Sequence, residues 1–251
     1  MATHTTPAAE VEISSLRVSA YKIPTDYPES DGTYEWDSTT LVLVEIEAGG
    51  QQGIGYTYAD EATARLIEAK LAAVVEGRAA LDTPACWIAM TTAVRNLGRP
   101  GIAAMAISAV DTALWDLKGK LLDVSLVSLL GSARSAAPVY GSGGFTSYPL
   151  EKLEAQLGGW VAQGISRVKM KIGRDPQADR QRVARARAAI GAEAELFVDA
   201  NGAYSRKQAL AQAEVFDEQQ VSWFEEPVSS DDLDGLRSVR QHCAADVAAG
   251  E

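Results

Sequence analysis

Val168-Lys169-Met170-Lys171-Ile172 sets two cationic side chains and three apolar ones in strict alternation. Alternation of period two marks a strand with two unlike faces. Three more strand-like runs follow, and each closes on a carboxylate: Phe197-Val198-Asp199, Trp223-Phe224-Glu225 and Ala248-Ala249-Gly250-Glu251. Lys171, Asp199, Glu225 and Glu251 stand 28, 26 and 26 positions apart, with helical patterns between them. A βα unit repeated at this length implies parallel strands joined by crossover helices. A barrel of about eight such units brings successive strand C-termini around one site. A doubly wound sheet instead places its site between particular strands, at a switch point. The expected order is strand 138–141, helix 150–163, strand 166–172, helix 178–190, strand 196–199, helix 205–219, strand 221–225, helix 231–242 and strand 246–251.

Upstream the grammar differs. Residues 11–23 are rich in β-branched and aromatic side chains and stop at Pro24. Residues 39–47 (TTLVLVEIE) alternate up to Gly49-Gly50, and 52–58 return as a hairpin partner. Between the first two strands, 24–38 is polar and aromatic, with Tyr27, Tyr34 and Trp36. It reads as a loop, either a lid or a surface connection. Helical spacing follows at 62–75, 102–121 and 125–130. The expected organisation is a disordered tail at 1–10, an α+β domain at 11–134, and at 135–251 the first five strands of a TIM-type barrel.

Composition narrows the function classes. Of 251 residues, 47% are hydrophobic and 23% charged, as in ordinary globular domains. The formal net charge of -11 repels nucleic acid and anionic membranes, so neither is an expected partner. No apolar run approaches a membrane span, and no signal peptide is evident. Cys86 and Cys243 make neither a disulfide framework nor a zinc site, and a reducing cytoplasm is the expected compartment. His4 and His242, in the tail and a helical stretch, leave little for histidine chemistry.

On the Lys169 strand, Val168, Met170 and Ile172 suit a helix layer, so the two lysines take the inward face. Burial and mutual repulsion would lower their pKa values and make one of them a usable base. Taken alone, a solvated basic strand face would be the better reading. Asp199, Glu225 and Glu251 change that balance. Each singly suits a helix N-cap or a surface ion pair, but three carboxylates on adjacent strand ends repel unless a cation sits among them. Oxygen-only ligands suit Mg²⁺ or Mn²⁺. The set fits removal of the weakly acidic proton beside a carboxylate. The charge developing on the carboxylate oxygens, an enediolate, is stabilised by a divalent cation while a lysine takes the proton. Lysine base and Mg²⁺ are the pairing known in the enolase superfamily.

The residues resemble that superfamily, and within it the mandelate racemase-like branch, over nearly the whole chain. Ala109-Val110-Asp111-Thr112-Ala113-Leu114-Trp115-Asp116-Leu117, with Lys118-Gly119-Lys120, looks like the helix closing the family's N-terminal capping domain. Leu129-Leu130-Gly131 looks like the lead into its barrel. Lys169-Met170-Lys171 matches the K-x-K motif. The resemblance implies Lys171 as base and Lys169 as the group holding the substrate carboxylate. It implies Asp199, Glu225 and Glu251 as metal ligands, with Glu226 and Asn201 supporting them. Glu after Gly at Gly250-Glu251 is similar to the mandelate racemase-like group; the muconate lactonizing and dipeptide epimerase groups usually present Asp there. By the same resemblance 24–38 would close over the substrate, helped by 56–61, while 141–148 lines the pocket.

A family member would continue through three more strands carrying a His-Asp pair, so the chain is expected to be C-terminally truncated, and full-length protein to be a homo-oligomer. The expected activity is Mg²⁺-dependent dehydration of a sugar acid or other hydroxy acid. The alternatives are a racemase or epimerase, and an inactive paralogue that only binds metal. A Schiff-base role for Lys171 fits less well, because clustered carboxylates have no place in that mechanism.

Overall fold

The computed structural model describes residues 11–250. The expected tail at 1–10 and the expected ligand Glu251 lie outside them. The described residues form two compact units, 11–24 with Ser38–Ser135, and Thr25–Asp37 with 136–250.

In the first unit, β1 (Ile13–Ser30), β2 (Glu35–Ala48) and β3 (Gln51–Tyr58) form a sheet in the order β1-β2-β3. Strands β2 and β3 pair antiparallel from Leu41↔Tyr58 to Ala48↔Gln51. Their turn is Gly49-Gly50, both at positive φ, as a two-residue hairpin demands. Val42, Val44, Ile46 and Ala48 alternate into the core as the period predicts.

Helix α1 (Glu61–Leu66) passes through a π-helical turn (Ile67–Leu71) into α2 (Ala72–Val75), where one unbroken helix was expected. The five-residue turn still buries Ile67 and Leu71. Helix α3 (Thr83–Ala93) was not foreseen. Asp82 caps it, but its buried Thr83, Cys86 and Met90 make only a narrow stripe among exposed Trp87 and Ile88. Helix α4 (Ile102–Leu121) is the centre of the unit and buries nine residues against β3 and its neighbours. A short α5 (Leu126–Leu130) follows.

In the second unit, β4 (Gly141–Gly143), β5 (Arg167–Lys171), β6 (Glu195–Asp199), β7 (Val221–Glu225) and β8 (Asp246–Ala248) form one parallel sheet in sequence order. Helices α6 (Leu150–Ala162), α7 (Pro176–Ile190), α8 (Arg206–Glu218) and α9 (Leu233–His242) make the crossovers. Asp175 caps α7, which opens on Pro176, and Ser205 with Gln208 forms a capping box on α8. Val168, Met170, Ile172, Leu196, Val198 and Phe224 form the core with α6 to α9, which commits the alternate residues of each strand to the opposite face. Strand β4 lies later than expected, at 141–143 rather than 138–141. A Cβ at Gly141 would stand 2.4 Å from the Trp160 ring, so this strand needs glycine where sequence patterns favour β-branched residues.

The stretch 24–38 is not an irregular loop. Strand β1 runs through Pro24 to Ser30, and β2 starts at Glu35. Pro24 is tolerated because β1 is an edge strand, where a missing N–H costs little. The hairpin tip, Thr25–Asp37, groups with the second unit rather than with the rest of 11–134.

Candidate active site

Parallel pairing puts Lys171, Asp199, Glu225 and Ala248 in one row across four strands, with Lys169, Phe197 and Trp223 in the row beneath. Side chains of both rows face away from the helix layer and meet. Lys171 Nζ donates to Asp199 Oδ2 at 2.6 Å and to Asn201 Oδ1 at 3.0 Å. Lys169 Nζ lies 2.8 Å from both Glu225 oxygens and 3.2 Å from Asp199 Oδ2. Two lysines and two carboxylates therefore form one charge-balanced cluster, with Asp199 wholly shielded from solvent.

The supports are local. Asp199 Oδ1 accepts from the Asn201 amide at 3.0 Å, and Asn201 takes positive φ, a conformation asparagine tolerates. Trp223 Nε1 donates to Glu225 Oε2 at 3.0 Å. Glu226 is buried and also at positive φ, and its Oε1 accepts from the Gly250 amide at 3.3 Å. It thereby ties the end of β7 to the residue before Glu251.

The electrostatics correct one expectation. Burial, the largest single influence, would lower the Lys169 ammonium. The Glu225 hydrogen bond and the charges of Asp199 and Glu225 outweigh it, so its pKa is raised. Direct pairing of the lysine with Glu225 and Asp199 outweighs the repulsion expected between the two lysines.

An aromatic wall flanks the cluster. Tyr140 meets Phe197 edge-on with centroids 5.7 Å apart, Phe197 meets Trp223 at 6.0 Å, and Lys169 Nζ lies 5.5 Å from the Tyr140 ring. These rings, with Arg167, Glu195 and Asp246 at the N-terminal ends of their strands, line a cavity of about 390 Å³ that reaches Glu225 from beneath. Phe197 and Trp223 were legible as alternate strand residues but were not singled out. Tyr140 fell within the expected strand 138–141 and lies just before the observed β4.

The hairpin tip lies over the same strand ends. A Cβ at Gly32 would stand 2.4 Å from the carbonyl oxygen of Ala200 and 2.8 Å from that of Ile172, one residue beyond Asp199 and Lys171 respectively. Thr146 fastens the tip: its amide donates to Ser30 O at 2.8 Å, and its hydroxyl to Asp31 O at 2.8 Å. Arg174 pairs with Glu35 at 2.9 Å, and Trp36 packs edge-on against Phe145.

The donor set suits a hard divalent cation: carboxylates in register on adjacent strand ends, oxygen atoms only, with cationic groups already drawn to them. Among the described residues Asp199 and Glu225 come together, and no group of three or more metal-binding side chains does. The third expected ligand, Glu251, is outside that range. His242 ends α9, its Nδ1 2.8 Å from Ser238 O.

An α+β unit joined to parallel βα units, with lysines and carboxylates gathered at the strand C-termini, defines the class of barrel enzymes whose active site lies at that face. Residues 18–131 match the model of the mandelate racemase / muconate lactonizing enzyme N-terminal domain, and 152–251 match the enolase C-terminal domain-like model. The chain belongs to the mandelate racemase/muconate lactonizing enzyme family of the enolase superfamily. A mandelate racemase/muconate lactonizing enzyme-like protein from Rubrobacter xylanophilus is 57% identical, superposes with a TM-score of 0.94, and is matched over 96% of this chain and 68% of that one. The 3,6-anhydro-alpha-L-galactonate cycloisomerase of Streptomyces coelicolor is 33% identical over 95% of this chain and 68% of its own length. L-talarate/galactarate dehydratase from Salmonella typhimurium, solved with Mg and L-lyxarohydroxamate, is 27% identical with a TM-score of 0.89, covering all of this chain and 67% of that one. The chain thus spans about two thirds of the relatives it matches. No helix among the described residues is long and apolar enough to cross a membrane.

Proposed function

We propose that the protein is a Mg²⁺-dependent sugar-acid dehydratase that begins by removing the proton α to the substrate carboxylate. The observation that carries this reading is the single row of Lys171, Asp199 and Glu225, with Lys169 beneath it. Asp199 and Glu225, with Glu251, would hold the metal, and Asn201 and Glu226 would steady these ligands. Bound there, Mg²⁺ stabilises negative charge on the substrate's carboxylate oxygens. Lys169 adds a second cation for the same anionic group, and Lys171 takes the α-proton. Loss of the β-hydroxyl as water then leaves an enol, which becomes a 2-keto-3-deoxy acid. The hairpin tip covers the strand ends where this chemistry would take place.

The family's dehydratase with bound Mg supports the reading. The cycloisomerase relatives favour a second one, in which the same proton abstraction serves ring opening or closure of a sugar acid. A panel of aldonic and aldaric acids and their lactones, assayed by NMR with Mg²⁺ and again with excess chelator, tests the proposal. Metal-dependent formation of a keto acid with loss of one water supports dehydration. Metal-dependent isomerisation without loss of water transfers the assignment to the second reading. Conversion that survives chelation rejects both.

A further inference from the structure

Behind the strand-end cluster lies a second pair of buried charged groups, which the proposed chemistry does not use. Asp179 and Arg182 sit nearly one turn apart on α7, 1% and 8% exposed. Asp179 Oδ2 accepts from the Gly173 amide at 2.8 Å and from the Tyr204 hydroxyl at 2.7 Å. Gly173 lies in the turn after β5, two residues past Lys171. Tyr204 lies in the loop after β6, three residues past Asn201. One carboxylate oxygen therefore spans the two loops that follow the proposed base and the first proposed ligand.

Arg182 serves the neighbouring loop. Its guanidinium donates to the carbonyls of Tyr148 at 2.8 Å, Phe145 at 2.8 Å and Gly144 at 3.3 Å. The Gly144 carbonyl also accepts from the Lys171 amide at 3.2 Å. Thr146, inside the same loop, holds the hairpin tip. Burying a carboxylate and a guanidinium is expensive, and apolar side chains would fill the space at lower cost. What the charged pair supplies is a set of directed hydrogen bonds to three successive strand-end loops.

We propose that Asp179 and Arg182 are positioning residues: Asp179 fixes the turn that aims Lys171 at Asp199, and Arg182 fixes the loop on which the hairpin tip seats. This rests on the proposed function only in taking Lys171 as the base.

Hydrogen exchange followed by mass spectrometry tests the proposal in the intact protein without any turnover. Arg182→Met should speed exchange at least tenfold in 144–148 and in the hairpin tip, while β6 and β7 keep wild-type protection. Tyr204→Phe keeps the packing and removes one donor to Asp179. It should speed exchange at 173 and 200–204 and leave the hairpin tip unchanged. Should Arg182→Met fold poorly, Thr146→Val still separates the tip from its seat and should loosen 28–36 alone. In an active preparation, Arg182→Met should raise KM for the acid about tenfold with kcat within twofold, and Tyr204→Phe should lower kcat with KM unchanged. Uniform acceleration across β6 and β7, or none in the named loops, overturns the proposal. Turnover that persists in Lys171→Ala would reject the functional reading while leaving the exchange result standing.

Discussion

The Nζ of Lys169 lies 2.8 Å from both carboxylate oxygens of Glu225, so one ammonium neutralises a side chain proposed to hold the metal. Lys169→Met should therefore expose repulsion between Glu225 and Asp199 and cost about 3 kcal/mol in metal-free protein, as for other broken buried pairs. Because Mg²⁺ can replace the lost charge, excess Mg²⁺ should raise the melting temperature more in the variant than in the wild type. Equal Mg²⁺ effects in the two proteins would contradict a shared carboxylate site.

Trp223 orients the same glutamate from two residues earlier on β7, through its indole N–H. Trp223→Phe keeps the wall and removes the donor. Groups that orient metal ligands typically contribute 10–100-fold in affinity, so calorimetric titration with Mg²⁺ should show binding weakened about tenfold. Unchanged affinity would mean that Glu225 is held by Lys169 alone.

The first unit depends on close approach between β3 and α4. A Cβ at Gly55 would lie 2.1 Å from the Ala109 carbonyl oxygen, and one at Gly53 would lie 2.2 Å from that of Ala113. Gly55→Ala should destabilise the protein by about 2 kcal/mol through overpacking. Gly159→Ala, inside α6 where a Cβ meets nothing within 4 Å, should stabilise it by up to about 1 kcal/mol. Urea denaturation of both variants checks the pair, and the opposite order would refute the packing argument.

Burial raises the Asp179 carboxyl above its ordinary value, against the opposing hydrogen bonds from Tyr204 and Gly173 and the charge of Arg182. A raised folded pKa means that the folded protein holds this proton more tightly than the unfolded chain. The stabilising contribution is then complete below the unfolded value and is lost as pH rises through the folded one. Asp175, the other carboxylate acting on this group, raises it further. Asp179→Asn should gain stability relative to wild type near neutral pH, and the gap should shrink as pH falls through the carboxylate range. A gap independent of pH, measured by urea denaturation between pH 4 and 7, would contradict the assignment.

Most of the second unit was legible because its strands are buried on one face and charged on the other. Val168, Met170 and Ile172 fix which way Lys169 and Lys171 point, and one βα period brings Asp199 and Glu225 beside them. Three features were harder to read. Strand β4 is built on glycines that make room for Trp160, so it has no apolar signature. The long hairpin looked like a loop because Pro24 usually ends a strand, yet on an edge it does not. Asp179 and Arg182 sit among the many charged residues of α7, and only the fold shows that they turn inward.

Lys171 is the proposed base that removes the α-proton of the acid substrate. The most direct test of that role is conversion of an aldonic or aldaric acid in D₂O with Mg²⁺, followed by NMR, for the wild type and Lys171→Ala. The wild type should give a 2-keto-3-deoxy product carrying one solvent deuteron at C3, and the variant a rate at least about 10²-fold lower, as expected for loss of a general base. Conversion by Lys171→Ala at the wild-type rate would contradict that role.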